Sequence, residues 1–455
     1  MKKISLLILG LSLVTATGCD PGGGDNRPGP AISRNQVHPG DISRANRLLA
    51  AGKVTRAHEL FRQLTRKNPR SDQAALGLSR VYLMEGKNSE AIAWGNKTVE
   101  LNPTLSEGWE VLGQAQLQEK QLEKAAWSFR QATRLDPHNA GYFSQLGIVM
   151  GKLNITPDAI KALTRAIALN PRQPESYNNL GMAFFQSGQV EEAEKSLLQA
   201  IKLNPDYSTA HVNLGLIYEQ LKKTKKAQEE YQTALHLDPH LLAARFLSGK
   251  LYLREGNVAE ARKVFTRIKE EEPGFAPAYQ NLGEIALRQQ DYRQADTLLH
   301  QAISLNPRQA ETYDLLSRVQ LARDNLADAY KSEAWALNID PENPLFYRHL
   351  GEINLRRNQL RPAAKALKRS LELNPDDGRT WLLQGEVWNR MGAAEKAKKS
   401  FARARELDPK LLTASPSAEQ TGVNTSATPP PEAGEEPFYE TILRKINALP
   451  TPPPK

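Results

Sequence analysis

Residues 175–205, ESYNNLGMAFFQSGQVEEAEKSLLQAIKLNP, decide how the whole chain is read. Tyr177, Leu180, Phe184 and Phe185 recur three to four residues apart, the spacing that lines one face of a helix. Gly188 breaks that face, because a residue without Cβ takes the left-handed conformation of a tight turn at little cost. From Val190 to Leu203 a second run sets Ala193, Leu197, Leu198, Ala200 and Ile201 along one side. Asn204-Pro205 then ends it, since proline lacks the amide a helix needs and pushes the residue before it out of helical geometry. The stretch predicts two helices folded back against each other.

The same pattern extends in both directions. Prolines at Pro69, Pro103, Pro137, Pro171, Pro205, Pro239, Pro273, Pro307, Pro341, Pro375 and Pro409 are 34 residues apart, and an alanine precedes each by 12, from Ala57 to Ala397. The position 24 residues before each proline is glycine in most repeats, with Ser79, Ser317 and Ala45 as the others. Glycine within a helix costs about 1 kcal/mol relative to alanine, so its recurrence at one phase needs a benefit. Close approach of the paired helix backbones supplies one. The turn slot holds Gly52, Gly86, Gly188, Gly256 and Gly392, or Asn154, Asn358 and Asp324, residue types that tolerate a left-handed turn. Thr156-Pro157-Asp158 starts a helix with a cap, a proline at the first position and an acid against the helix dipole. A length of 455 residues would suggest about three domains, but a single period accounts for residues 38–411.

Together these features resemble the tetratricopeptide repeat (TPR): Tyr177-Asn178-Asn179-Leu180-Gly181 through Pro205 is close to its consensus, and residues 38–411 divide into eleven such repeats. The resemblance implies an all-α, right-handed superhelical solenoid of antiparallel helix pairs, with the first helices lining a concave groove for proteins or peptides. Some repeats depart from the pattern. Asp41 and Arg44 stand at core slots of the first, Gly95 is in the second, and Glu333 takes an aromatic or leucine slot in the ninth. Ser248 and Glu271 occupy apolar slots of the repeat ending at Pro273, which predicts a softer junction there.

Counting each repeat from the position that aligns with His38, slots six, nine and thirteen share one side of the first helix. The family's groove often carries an asparagine at slot six that bonds a peptide backbone, and Asn179, Asn213 and Asn281 stand there. An amide both donates and accepts, which suits an extended chain of any sequence. Lys250 and Arg318 at slot nine, with Arg254, Arg288, Arg356 and Arg390 at slot thirteen, are candidates to grip carboxylates. Glu284, Glu352 and Glu386 alternate with them, as on a solvated helix face.

Outside the repeats, Lys2 and Lys3 precede an apolar run from Ile4 to Val14 that suits a secretory signal peptide and is too short to span a bilayer. Ala16-Thr17-Gly18-Cys19 resembles the lipobox of bacterial lipoproteins, which implies removal of residues 1–18 and a diacylglyceryl group on Cys19, the chain's one cysteine. Residues 19–37, rich in Gly and Pro, read as a lipidated flexible tether. Asp20 resembles a signal for inner-membrane retention, a rule that differs between bacteria, so the choice of membrane stays open. Residues 412–435 are a Ser/Thr/Pro/Glu-rich linker, and Phe438, Ile442, Ile446 and Leu449 predict a short amphipathic helix within the Pro-rich tail 436–455.

The functional classes narrow accordingly. A charge of +9 spread over 455 residues makes no nucleic-acid footprint. One cysteine rules out an intramolecular disulfide and a cysteine-based metal cluster. His236 and His240 flank Pro239, which interrupts the helix that would align them on a metal. Ser248-Gly249-Lys250 lacks the upstream glycine of a phosphate loop. The expectation is a non-enzymatic scaffold without metal or cofactor, lipid-anchored, facing the periplasm and binding other envelope proteins or peptides. The alternative is a carbohydrate-binding module of a polysaccharide-export system, using Trp109, Tyr313 and Trp381, which stand at slot four.

Overall fold

The computed structural model describes residues 39–411. The signal segment, Cys19, the tether, the linker and the Phe438–Leu449 stripe all lie outside the described residues. Within them, twenty-two α-helices run as eleven consecutive antiparallel pairs and no strand forms. The quoted stretch gives Pro174–Gln186 and Val190–Leu203, within a residue of the predicted bounds.

Each pair turns at the same slot, where the backbone φ is positive in all eleven repeats. Five of these turns use glycine, and Asn154, Asp324 and Asn358 were also legible. Lys120, Lys222 and Gln290 were not, yet they adopt φ of 59°, 57° and 61°. Such residues pay about 1–2 kcal/mol for the left-handed conformation, so packing on either side overrides local preference. The stop is equally regular. Asn204 becomes extended (φ −140°, ψ 95°) while its amide still donates to Ala200, and its side-chain oxygen accepts from the amide of Asp206 at 3.1 Å. Asp136, Asp238 and Asp408 accept from the same position of their own repeats. An acceptor side chain before the proline therefore closes a small turn around it.

The recurring glycine answers to a large side chain two-thirds of the way through the same repeat. A Cβ on Gly147 would lie 2.5 Å from Leu163 Cγ, on Gly215 2.4 Å from Tyr231 Cε1, and on Gly351 2.6 Å from Leu367 Cγ. Two repeats lack that large residue, having Gly95 and Glu333 in its slot, and in both the glycine becomes serine. Ser79 Oγ donates to Ala91 O at 2.7 Å and Ser317 Oγ to Ala329 O at 3.0 Å. Space and filler thus vary together.

The chain divides into two compact units, 1–244 and 245–455. In the first, Phe61, Phe129, Leu163, Leu197 and Tyr231 are fully buried; in the second, Phe265, Leu299 and Leu367 are. The division falls inside the repeat in which Ser248 and Glu271 interrupt the apolar pattern. There Arg245, only 6% exposed, replaces the usual slot-four aromatic. It pairs with Glu271, whose other oxygen accepts from Arg267 Nε at 2.6 Å. The Arg267 and Arg245 guanidiniums together hold the Glu271 carboxyl down to a pKa of about 2.

Candidate peptide-binding face

The first helices bury one side against their partners and leave slots nine and thirteen partly or fully exposed. In the first compact unit those slots are mostly amides and apolar side chains, with Arg80 at slot nine and Lys152 at slot thirteen as the cations: Ile148, Met182 and Leu216 at slot nine are half-buried, and Gln118 and Gln220 at slot thirteen are exposed. Ile148 and Gly151 from the helix Ala140–Lys152 meet Asn179, Met182 and Gln186 from Pro174–Gln186 around one shallow recess. Slots six, nine and thirteen therefore do share a surface, as helical periodicity requires. The Gln186 Oε1 atom is buried there and no donor of the described chain reaches it.

The three asparagines differ in their circumstances. Asn179 is half-buried and lines the recess. Asn213 is 0% exposed, its Nδ2 donating to Asn178 Oδ1 at 2.8 Å while its own Oδ1 meets no donor. Asn178 in turn donates toward Asn179 Oδ1 at 3.4 Å, so the three amides form a chain across two repeats. Asn281, 8% exposed, donates to Pro277 O in its own helix at 2.7 Å. Spacing alone does not reveal these commitments.

Lys152, at slot thirteen beside Gly151, was not singled out by the sequence. It is half-buried, forms no ion pair among the described residues, and burial pulls its pKa below the ordinary lysine value. Such an ammonium has lost part of its water without gaining an acid. Its signal is structural, since a lysine at an exposed-type slot gives no hint of desolvation.

In the second unit the corresponding face is charged, and its cations are largely engaged. Arg288 Nη2 binds Glu284 at 2.6 Å and Arg390 Nη2 binds Glu386 at 2.6 Å, both one helical turn apart. Arg318 stands 3.9 Å from Asp314, and Arg356 reaches Asp324 at 3.3 Å. Lys250 lies over the Phe246 ring, 5.8 Å from its centroid, and Arg254 is exposed. Exposed pairs of this kind contribute roughly 0–1 kcal/mol, so they form a solvated, alternating face.

The slot-four aromatics are absorbed by the repeat itself. Trp109 Nε1 donates to Pro103 O at 2.9 Å, Trp381 Nε1 to Pro375 O at 2.8 Å and Tyr279 Oη to Pro273 O at 3.1 Å. Each ties a first helix to the proline turn before it. Tyr313 is buried beside Trp335. The first three thus tie neighbouring repeats through their polar atoms, and Tyr313 packs within its own repeat.

Residues 33–245 and 208–423 each match the family model described as the cilia and flagella-associated protein 70 C-terminal domain. The Hsp70-Hsp90 organizing protein 1 of Glycine max is 29% identical over 124 residues, which are 26% of this chain and 22% of that protein. The chain thus matches about a fifth of that relative's length. Among solved structures the chain is similar to YrrB, a TPR protein with an unusual peptide-binding site, at 23% identity and TM-score 0.35, over 40% of this chain and 95% of that one. It is also similar to Pseudomonas aeruginosa PilF (25%, TM-score 0.40, 46% and 94%) and to a TPR protein of Parabacteroides merdae (18%, TM-score 0.46, 55% and 98%).

Proposed function

The chain belongs to the tetratricopeptide-repeat family matched by the cilia and flagella-associated protein 70 C-terminal domain, whose repeats bind other proteins or peptides, and from that premise we propose that it is an envelope scaffold whose first compact unit grips an extended peptide. The carrying observation is the recess of Ile148, Asn179, Met182 and Gln186, with the buried, unpartnered Gln186 Oε1 inside it. An unmet buried acceptor costs about 1–3 kcal/mol, and a peptide N–H relieves that cost. The apolar neighbours receive a side chain, and Asn179 offers a further donor and acceptor. Lys152 supplies the charge for a carboxylate, either the peptide's C-terminus or an acidic side chain.

The remainder of the reading concerns location. A lipid on Cys19 and the tether 20–37 would hold the repeats at a bacterial membrane on the periplasmic side, within reach of secretion, pilus or polysaccharide-export assemblies. The slot-four geometry does not favour the carbohydrate reading, because Tyr313 is buried and the Nε1 atoms of Trp109 and Trp381 are spent on the proline turns of the preceding repeats.

Selection of random peptides on the purified full-length chain tests this proposal. Selected peptides are expected to carry apolar residues and a carboxylate, and Lys152→Met is expected to weaken them about tenfold, the order of one charge-assisted hydrogen bond. The same substitution is expected to leave the thermal midpoint unchanged or raise it, because it removes a desolvated, unpaired charge. Equal affinity of wild type and Lys152→Met would remove lysine from the site.

A further inference from the structure

Glu333 occupies a slot that elsewhere holds Phe129, Leu163, Tyr231 or Leu367. It is 0% exposed, and neither carboxylate oxygen meets a hydrogen-bond donor. Ser317, the nearest hydroxyl by repeat position, spends its proton on Ala329 O at 3.0 Å. Burial, reinforced by the charge of Asp314, pushes the Glu333 carboxyl well above the usual carboxylate range.

Two more groups converge on it from different helices. Asp314, 8% exposed, comes from Ala310–Ala322, and His349 from Pro344–Arg356 of the next repeat. His349 Nδ1 is hydrogen-bonded to Asp314 Oδ1. One ligand-type atom from each of the three residues lies within 4.8 Å of the others. The surrounding charges do not neutralise the pair of acids. Arg318 stands 3.9 Å from Asp314 and is 44% exposed at its side chain. Arg348, 3.4 Å from His349 Nε2, is engaged with Asp377 at 2.7 Å. Glu352 adds another negative charge nearby.

We propose that Asp314, Glu333 and His349 form a divalent-metal site, one imidazole and two carboxylates in the manner zinc accepts, which ties the ninth repeat to the tenth. A buried acid without a donor either keeps its proton or meets a cation. Here the second and third ligands stand beside it, at a place where the repeat otherwise asks for one apolar side chain. The metal replaces the proton between His349 Nδ1 and Asp314 and the proton on Glu333, so binding releases protons to solvent. Zinc–ligand bonds of roughly 2.0–2.2 Å set tetrahedral ligand atoms about 3.4 Å apart, so His349 Nδ1 and Asp314 Oδ1 give up their hydrogen bond and separate while Glu333 draws in, and water completes the fourth position.

The test uses the untagged full-length chain, stripped with chelator and titrated with zinc against a chromophoric competitor, with cobalt as a spectroscopic probe. The expected result is one equivalent of tight metal, visible cobalt absorption and a thermal midpoint raised by about 5 °C at saturating zinc. Glu333→Leu, which restores the apolar slot, should abolish the binding while melting above the metal-free wild type, so loss of metal is not loss of fold. His349→Ala should abolish it as well. No saturable binding, or equal binding by wild type and Glu333→Leu, overturns the proposal; in the first case Glu333 is a neutral acid paired with Asp314.

Discussion

Combining Asn179→Ala, Met182→Glu and Gln186→Ala is expected to weaken binding of a selected peptide roughly a hundredfold. Each amide removes a hydrogen bond with a net contribution of about 0.5–1.5 kcal/mol. The new carboxylate at Met182 makes an apolar recess repel a peptide side chain, at a cost of on the order of 1 kcal/mol or more. About 2.7 kcal/mol in total corresponds to a hundredfold. Folding should survive, because none of the three side chains is fully buried and none fills the slot over a close glycine contact. Fluorescence anisotropy with a labelled peptide measures the loss, and circular dichroism melting measures the fold. Arg288→Ala with Arg390→Ala serves as the contrast, and these should change affinity less than twofold because both guanidiniums are already paired with Glu284 and Glu386. A large effect from the arginine pair and none from the recess would move the site to the second unit.

Cys19→Ser is expected to leave a protein without the lipid, either unprocessed and still carrying residues 1–18 or soluble. Transfer of a diacylglyceryl group needs the thiol, and a serine hydroxyl at the same place is not a substitute nucleophile at neutral pH. One acyl chain gives marginal, reversible anchoring and two or more give stable anchoring, so loss of the whole group removes the stable anchor, and any membrane attachment left is that of an unprocessed apolar Ile4–Val14 segment. Detergent-phase partitioning and labelled fatty acid read this directly. Continued labelling of the serine variant would refute lipidation at this residue.

The helix pairs were legible because every repeat states the same instruction at several slots, and errors at one slot are outvoted by the rest. Lys120, Lys222 and Gln290 show the converse: none favours a left-handed turn, and the helices on either side impose it. Gly95 and Glu333 were visible as departures, but their link to Ser79 and Ser317 emerged only from the space each glycine must leave. The site was less legible. Asn213 and Asn281 sit at the expected slot with their amide protons committed inside the repeats. Lys152 and Gln186 matter through burial and missing partners, which a sequence does not display. Asp314 and His349, 35 residues apart, satisfy no ligand-spacing motif and meet because consecutive repeats stack.

Crosslinking shows most directly where a partner touches the chain. A photoreactive amino acid is placed in living cells at Met182 or Leu216 on the first-helix face, and at Trp127, which is 54% exposed on a second helix. The account predicts a crosslinked polypeptide from Met182 and Leu216 that is lost in the Asn179→Ala, Gln186→Ala background, and none from Trp127. Crosslinking from Trp127 alone would contradict it.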